Sequence, residues 1–246
     1  MRTSKVRLDE LLVQRRLAES LPAAQSLLLA GRVKAPGVKI LKPGSTVSPD
    51  QVLEVTPGRK YVSRGGEKLE GALDAFRVNL SGRDCLDVGA STGGFTDCLL
   101  QRGALKVFAV DVGSGQLDWT LRNDPRVVSR ENTHILRFQK TDLPFSPSLV
   151  TIDVSFISLE KILPHLASLV DPGAEFVALV KPQFEVEPKL APKGVVRDPS
   201  VRQAVVRKVS DFLPAWGFSK RGECPSPIQG PEGNVEFFLH FVREDR

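Results

Sequence analysis

The sequence predicts an α/β protein in which a doubly wound sheet follows a small N-terminal α+β domain. Three observations support this fold class. Residues 84–100 combine an apolar strand, a glycine turn and a helix, the first unit of such a sheet. Two later apolar runs end in Asp153 and Lys181, and residues 1–55 alternate helical periodicity with Pro-Gly turns. The 246 residues are enough for one such sheet and a small appendage.

The positive charge of the chain is concentrated at its beginning. The net charge is +5, but residues 1–60 alone carry 11 basic and 5 acidic residues and therefore +6. The remaining residues carry 23 basic and 24 acidic side chains, a net charge of −1. This asymmetry favours a polyanion-binding module that is joined to a nearly neutral domain.

Within the first 55 residues, the pattern predicts two helices and short strands. Leu8, Leu11 and Leu12 fall at helical spacing and form the apolar stripe of the first helix. Ser20 is suited to cap the second helix, which Gly31 ends in a left-handed conformation. Strands are expected at 32–34, 38–40 and 52–55, and a linker at 56–61.

This order of elements resembles the RNA-binding domain named after small-subunit ribosomal protein four. The matching segments are Arg7-Leu8-Asp9, Ser20, Ala24-Gln25, Gly31-Arg32-Val33 and Lys42-Pro43. Leu21 stands where that family carries arginine, and Pro36 where it carries asparagine, so this chain has one cation fewer for binding phosphate. The expected RNA contacts are Arg7, Arg15, Arg16, Arg32, Lys34 and Lys39.

The glycine turn predicts a nucleotide cofactor. Glycines at 89, 93 and 94 lie between the first strand and a helix at 95–100, where they let the backbone approach an anionic group. The next strand, 107–110, ends in Asp111, 24 residues after Asp87, as expected of an acid that binds ribose hydroxyls. This spacing fits NAD as well as S-adenosylmethionine. Asp87, placed for a cationic amino group, favours S-adenosylmethionine.

Further polar residues are expected at the same edge of the sheet. In open α/β sheets ligands bind outside the carboxyl ends of the strands, which is where Asp153 and Lys181 fall. The last strand, within 234–242, is expected to run antiparallel and to bring its beginning, with Glu236, to this edge. Lys68 is expected to open a helix near it.

These four residues carry a second resemblance. Lys68, Asp153, Lys181 and Glu236 match the Lys-Asp-Lys-Glu set of the FtsJ-like 2′-O-ribose methyltransferases. With the N-terminal module, nearly the whole chain resembles the TlyA family, also called hemolysin A. The shared motifs are Ser-Arg-Gly-Gly-x-Lys-Leu (63–69), Asp-Val-Ser-Phe-Ile-Ser-Leu (153–159), Lys-Pro-Gln-Phe-Glu (181–185), Lys-Gly-Val-Val-Arg-Asp (193–198) and Gly-x-Glu-Gly-Asn-x-Glu (230–236).

The resemblance implies S-adenosylmethionine-dependent methylation of cytidine 2′-hydroxyls in ribosomal RNA, free or in a ribosomal subunit. It assigns Lys181 as the base and Lys68 as the neighbouring charge that steers the oxygen. Asp153 and Glu236 orient the two ammonium groups. The implied cofactor contacts are Asp87, Gly89, Ser91, Thr92, Gly93, Gly94, Phe95, Asp111, Val112, Gly113, Glu131 and Asp153. One motif departs from the family: His134 and Leu136 replace an asparagine and an arginine beyond Glu131.

Three other functions stay open: a cytolysin, an assembly factor with an inactive methyltransferase domain, and a small-molecule methyltransferase. A cytolysin needs a membrane-inserting segment, and no run approaches the roughly 18 apolar residues of a membrane helix. Cys85, Cys98 and Cys224 share no metal-ligand spacing, so we expect free thiols in a reducing cytoplasm and no metal. A homodimer is left open.

Overall fold

The computed structural model describes residues 5–39, 41–56 and 58–245, which form two compact units that divide between Arg59 and Lys60. The first unit is small and has only two-residue strands. Its elements are β1 (Val6–Arg7), α1 (Leu8–Gln14), α2 (Leu21–Leu29), β2 (Val33–Lys34), β3 (Thr46–Val47) and β4 (Glu54–Val55). β1 pairs antiparallel with β3, and β2 with β4.

The predicted helices of the first unit are confirmed. Leu8, Leu11 and Leu12 are buried on α1, and the Ser20 hydroxyl caps α2 by accepting a hydrogen bond from the Ala23 amide. Gly31 follows α2 with a φ of +64°, as a left-handed cap requires.

The strand expected at 38–40 is wrong for Val38 and Lys39, which lie outside any strand, while Ile40 falls outside the described residues. The Val38 amide instead closes a turn onto the Ala35 carbonyl at 3.0 Å. A second turn joins Ser45 to the Lys42 carbonyl, also at 3.0 Å. Two successive Pro-Gly turns leave too little chain for a strand between them.

The second unit contains the predicted sheet. Its elements are α3 (Arg64–Phe76), β5 (Asp84–Val88), α4 (Gly94–Gln101), β6 (Lys106–Val110), α5 (Trp119–Arg122), β7 (Val127–Arg130), β8 (Leu149–Ile152), α6 (Leu159–Leu169), β9 (Glu175–Val180), α7 (Pro182–Glu185), α8 (Pro199–Phe212), β10 (Phe218–Pro225) and β11 (Phe237–Arg243). Short 3₁₀ turns occupy Ile135–Arg137, Lys140–Asp142, Pro188–Leu190, Pro192–Gly194, Leu213–Trp216 and Pro231–Gly233.

The seven strands of the second unit are ordered β10-β11-β9-β8-β5-β6-β7. The five strands from β9 to β7 are parallel, and β11 and β10 are antiparallel additions at one side. The chain reverses its direction of winding between β5 and β8, the point at which such sheets bind ligands. The α/β fold predicted from the sequence is therefore confirmed.

Both faces of this sheet are covered by helices. Neighbouring residues of β5 point to opposite faces and therefore pack in different cores. Leu86 packs in a core with Ile162 of α6, and Cys85 in a second core with Leu69 of α3 and Leu99 of α4. The sheet is thus the middle layer of a three-layer sandwich, with helices on both of its faces.

Helix α3 begins earlier than expected. Ser63 caps it by accepting a hydrogen bond from the Gly65 amide at 3.3 Å, and Lys68 is its fifth residue rather than its first. Tyr61, expected in a linker, is 2% exposed and belongs to the second unit. Its ring occupies the space beside Gly66, where a Cβ atom would lie 2.2 Å from it. Only glycine fits at this position, and both Gly65 and Gly66 lie within the helix.

Gly66→Ala is expected to lower the free energy of unfolding by about 1–3 kcal/mol, because the added methyl group overlaps the Tyr61 ring. Gly65→Ala is the matched control: its Cβ atom would meet nothing closer than 3.4 Å, and alanine favours a helix by roughly 0.5–1 kcal/mol. Urea unfolding of both variants measures the difference. Equal stabilities would contradict the packing described here.

Candidate active site

A cavity of about 610 Å³ opens at the carboxyl edge of the sheet. The four residues expected to react, Lys68, Asp153, Lys181 and Glu236, all line it. They come from α3, the ends of β8 and β9, and the residue before β11. Segments separated by up to 168 residues therefore meet in one cavity.

Lys68 and Glu236 form a buried ion pair. The Lys68 ammonium donates to Glu236 Oε2 at 2.6 Å, and the two side chains are 10% and 0% exposed. The pairing of Phe237 with Val180 in the antiparallel ladder fixes Glu236 beside the end of β9. The second oxygen of Glu236 is buried without a hydrogen-bond partner among the described residues.

Lys181 and Asp153 form the second pair. Their nitrogen and oxygen lie 2.6 Å apart, with side chains 11% and 22% exposed. The ammonium also donates to the Ser155 hydroxyl at 2.9 Å. Ser155 belongs to one of the shared sequence motifs, but its position there does not by itself indicate a role. Each lysine is thus held by its own carboxylate, which leaves both nitrogens fixed at the wall of the cavity.

A second cavity of about 680 Å³ adjoins the first. The two cavities share Gly89, Ser91, Asp153, Ser155 and Phe156 on their walls. The turn after β5 comes very close to the end of β8 here, since a Cβ atom on Gly89 would lie 2.5 Å from the Asp153 carbonyl oxygen. Glycine at this position is what lets the two cavities meet.

The second cavity holds three of the remaining residues expected to contact a cofactor, and the first cavity holds three others. Asp111, Val112 and Gly113 line it, and the Asp111 carboxylate accepts the amides of Ser91 at 2.8 Å and Gly113 at 2.6 Å. Thr92, Gly94 and Phe95 line the first cavity instead. Asp111 is thereby fixed in orientation at the end of β6.

Three expected cofactor contacts line neither cavity. Gly93 lies against Leu121. The Glu131 carboxylate accepts the backbone amides of Gln116 and Leu117 and pairs with Arg122. Glu131 therefore stabilises the loop beyond Asp111, and its expected contact with a cofactor stays a prediction.

Asp87 is the third; it lines neither cavity, and its expected contact with a cationic amino group stays a prediction. The side chain is fully buried and accepts the hydroxyls of Thr96 at 2.7 Å and Thr151 at 2.9 Å. Asp87 thus ties β5 to α4 and β8 beneath the glycine turn. Burial raises the pKa of Asp87 to about 7, against the opposing effect of the two hydroxyl groups.

Several cavity residues carried no periodic signal and were missed. Gln116, Thr133 and Ile135 line the second cavity, where His134 also lies. The His134 Nδ1 atom accepts the Leu136 amide at 3.2 Å, which leaves the other ring nitrogen for a ligand. Phe156 is 90% exposed with a φ of +64°, and its ring lies 4.9 Å from that of Phe184.

The six cations expected to contact RNA divide into two sets in the first unit. Arg7 pairs with the buried Asp9, Arg15 donates to the carbonyls of residues 49 and 51, and Arg32 donates to the Thr56 carbonyl. The second set is exposed, and its side chains make no hydrogen bond or ion pair to another described residue. It consists of Arg16, Lys34 and Lys39.

Across the described parts of the chain, no helix has the length and apolar character that crossing a membrane requires. Within those same residues, no group of three or more His, Cys, Asp or Glu side chains is arranged to hold a metal ion.

The raised pKa of Asp87 predicts a pH dependence of stability. In the unfolded chain this carboxyl titrates near its ordinary value of 3.8, so its contribution to stability is full below about pH 4 and is lost as the pH rises through about 7. The loss is on the order of 2–4 kcal/mol. Asp87→Asn, which stays neutral, should lack this component. Urea unfolding at pH 4.5, 6 and 7.5 tests it, and parallel curves for the two proteins would contradict it.

Comparison with known proteins agrees with this geometry. The FtsJ-like methyltransferase family matches residues 61–243. The chain is 47% identical over 238 residues to the 16S/23S rRNA (cytidine-2′-O)-methyltransferase TlyA of Mycobacterium tuberculosis, an alignment that covers 96% of this chain and 89% of TlyA. It is 41% identical over 239 residues to Hemolysin A of Brachyspira hyodysenteriae, covering 96% of this chain and 100% of that protein.

A solved structure from Streptococcus thermophilus, provisionally described as a hemolysin, matches with a TM-score of 0.75 at 42% identity. The match covers 99% of this chain and 90% of that one. The resemblance drawn from the sequence is therefore confirmed, and the chain belongs to the FtsJ-like methyltransferase family, alongside TlyA and hemolysin A.

Proposed function

We propose that this protein methylates the ribose 2′-hydroxyl of a cytidine in ribosomal RNA, with S-adenosylmethionine as the methyl donor. One observation carries the proposal: two lysine–carboxylate pairs line a cavity that opens onto a second cavity with a fixed aspartate, Asp111. A ribosomal RNA substrate supports a cytoplasmic location for the enzyme. The cytidine 2′-O specificity is that of the TlyA relative.

The second cavity fits the cofactor. Its volume of about 680 Å³ lies in the range of small-molecule sites. Asp111 would accept the ribose hydroxyls, and the turn at Gly89 with the start of α4 would take the methionyl carboxylate. Asp153, on the wall of both cavities, would favour a positive charge at their junction. When bound there, S-adenosylmethionine supplies an electrophilic methyl group.

The two lysines supply the proton chemistry. Lys181 first releases its ammonium proton to solvent, and its nitrogen then accepts the hydroxyl proton as the 2′-oxygen takes the methyl group. Asp153 and Ser155 hold that nitrogen in place. Lys68, fixed by Glu236, donates a hydrogen bond that orients the reacting oxygen. Much of the remaining rate enhancement is positioning, because the leaving group becomes neutral.

RNA binding is assigned to two features. The first cavity, which holds the two lysines, is called the reaction cavity from here on. Phe156 and Phe184 line it and offer an aromatic surface on which a base can stack. Arg64 lines the same cavity, and its side chain makes no hydrogen bond or ion pair to another described residue, so it can take a phosphate. The basic first unit supplies further phosphate contacts, as expected of a unit that resembles the RNA-binding domain named after small-subunit ribosomal protein four.

The proposal is tested by methyl transfer from labelled S-adenosylmethionine to ribosomal RNA, to each ribosomal subunit and to a mixture of small molecules. Mapping of 2′-O-methyl groups then locates the modified residue. Transfer to small molecules alone, or tight binding of NAD with no binding of S-adenosylmethionine, would overturn the proposal. Red-cell lysis by the purified protein, without transfer to RNA, would favour the cytolysin instead.

Lys181→Ala and Lys68→Ala should each lower the rate of methyl transfer by roughly 10²–10⁴-fold, the usual contribution of a positioned acid or base. Affinity for S-adenosylmethionine should stay within a few fold, because the lysines act on the hydroxyl. Glu236→Ala should lower the rate of methyl transfer by a smaller factor, because Glu236 acts only by holding Lys68 in place. Single-turnover transfer at saturating RNA and cofactor is the measurement, since it masks binding defects.

Lys208→Ala is the control for the lysine variants, because Lys208 pairs with Glu160 outside the cavity. A near-normal single-turnover rate for Lys181→Ala would show that the base is assigned to the wrong residue.

A triple variant of the first unit, Arg16→Gln, Lys34→Gln and Lys39→Gln, should weaken RNA binding. The slope of log affinity against log salt concentration should become shallower by about 0.7–0.9 for each phosphate that the variant no longer neutralises. The control triple removes three cations of the second unit that already pair with acids: Arg126, Lys140 and Lys189. Binding isotherms at several salt concentrations provide the slopes. An equal slope in both triples would exclude the first unit from RNA binding.

A further inference from the structure

One carboxylate at the reaction cavity has no part in the proposed proton chemistry. Glu232 lines this cavity, and with Arg64 it also lines an adjoining notch of about 480 Å³. Gln229, Gly230 and Gly233 form the same notch. The notch shares Arg64 and Glu232 with the reaction cavity, so a ligand in that cavity can reach it.

The backbone presents Glu232 in an unusual conformation. Its φ of 57° and ψ of 16° lie in the left-handed region, which a non-glycine residue adopts at a cost in free energy. Such conformations persist where the surrounding structure holds them, and they concentrate at functional sites. The observation marks Glu232 for a role in binding.

The loop around Glu232 is held at several points. The Gly230 amide donates to the Asn234 carbonyl at 2.9 Å, and the Ser226 amide to the Glu236 carbonyl at 2.9 Å. The Asn234 side chain bridges to the neighbouring loop, donating to the Gly194 carbonyl at 2.9 Å and accepting the Val196 amide at 3.2 Å. Glu232 is therefore carried by a rigid support.

The carboxylate of Glu232 is not neutralised. Among the described residues it makes no hydrogen bond, and no cation, Arg64 included, lies within ion-pair distance of it. In a cavity that receives RNA, an unpaired carboxylate repels the phosphates and accepts hydrogen bonds from donor groups of the substrate. Of the two pyrimidines, cytosine offers an exocyclic amino group from which Glu and Asp side chains accept a hydrogen bond, and uracil offers an oxygen at the same place.

We propose that Glu232 accepts a hydrogen bond from the exocyclic amino group of the target base and so selects cytidine over uridine. The inference rests on the proposed function. The two lysines hold the ribose end of the nucleoside, and Glu232 reads the opposite edge of its base. Uridine would place its carbonyl oxygen against the carboxylate, and the repulsion would disfavour its reaction.

The test uses a ribosomal RNA fragment centred on the cytidine that the transfer assay maps, and the same fragment with uridine there. The ratio of kcat/KM for cytidine over uridine should be tenfold or more in the wild type. Glu232→Gln should reduce this ratio at least tenfold, since an amide can donate to the uracil oxygen. A third fragment carries a cytosine analogue without the amino group at the target position. The wild type should methylate it at least tenfold more slowly than the cytidine fragment. Glu232→Ala should methylate these two fragments at equal rates.

Glu67→Gln is the matched control, because Glu67 lines the notch but not the reaction cavity, and it should keep the wild-type ratio. An unchanged ratio in Glu232→Gln, with cytidine still methylated, would overturn this inference and leave the proposed function standing. Failure of the wild type to methylate any RNA would overturn both.

Discussion

The buried pair of Lys68 and Glu236 is the interaction on which the reaction cavity depends. It joins α3, which precedes the sheet, to the residue before β11, and the two side chains are 10% and 0% exposed. Two charges removed from water are stable together only with close geometry, and loss of one would leave the other uncompensated. The pair therefore constrains α3 and β11 at once. Lys181 and Asp153, more exposed, complete the same wall.

The sheet makes this convergence possible. Parallel strands bring the residues after β5, β6, β8 and β9 to one edge, and the antiparallel β11 brings its preceding residue there instead of its last. Strand direction alone thus predicts from the sequence which end of each apolar run carries a functional side chain. This is why the sequence is sufficient to assign Asp111, Asp153, Lys181 and Glu236 to the same edge.

What periodicity could not predict depends on tertiary contacts. Asp87 follows the same strand-end pattern as Asp111, but two threonine hydroxyls from α4 and β8 satisfy its carboxylate inside the protein. Lys68 lies a turn further into α3 than expected, because the helix begins at Arg64 and includes both glycines, and the absence of a side chain on Gly66 leaves room for the Tyr61 ring. Phe156 and the first-unit segment at 38–39 lie in loops, whose course follows from turn geometry and not from an apolar pattern.

The acidic residues around the cavity show how environment decides the role of one functional group. Asp87 is sealed from solvent among hydroxyls and acts as a tie between elements. Asp153 and Glu236 each face an ammonium group at 2.6 Å and serve to hold it. Glu232 has neither a cation nor a hydroxyl among the described residues, and a rigid loop exposes it at the rim. An exposed carboxylate without a protein partner can accept a hydrogen bond from the substrate, and the amino group of cytosine is a donor that Glu and Asp side chains accept from.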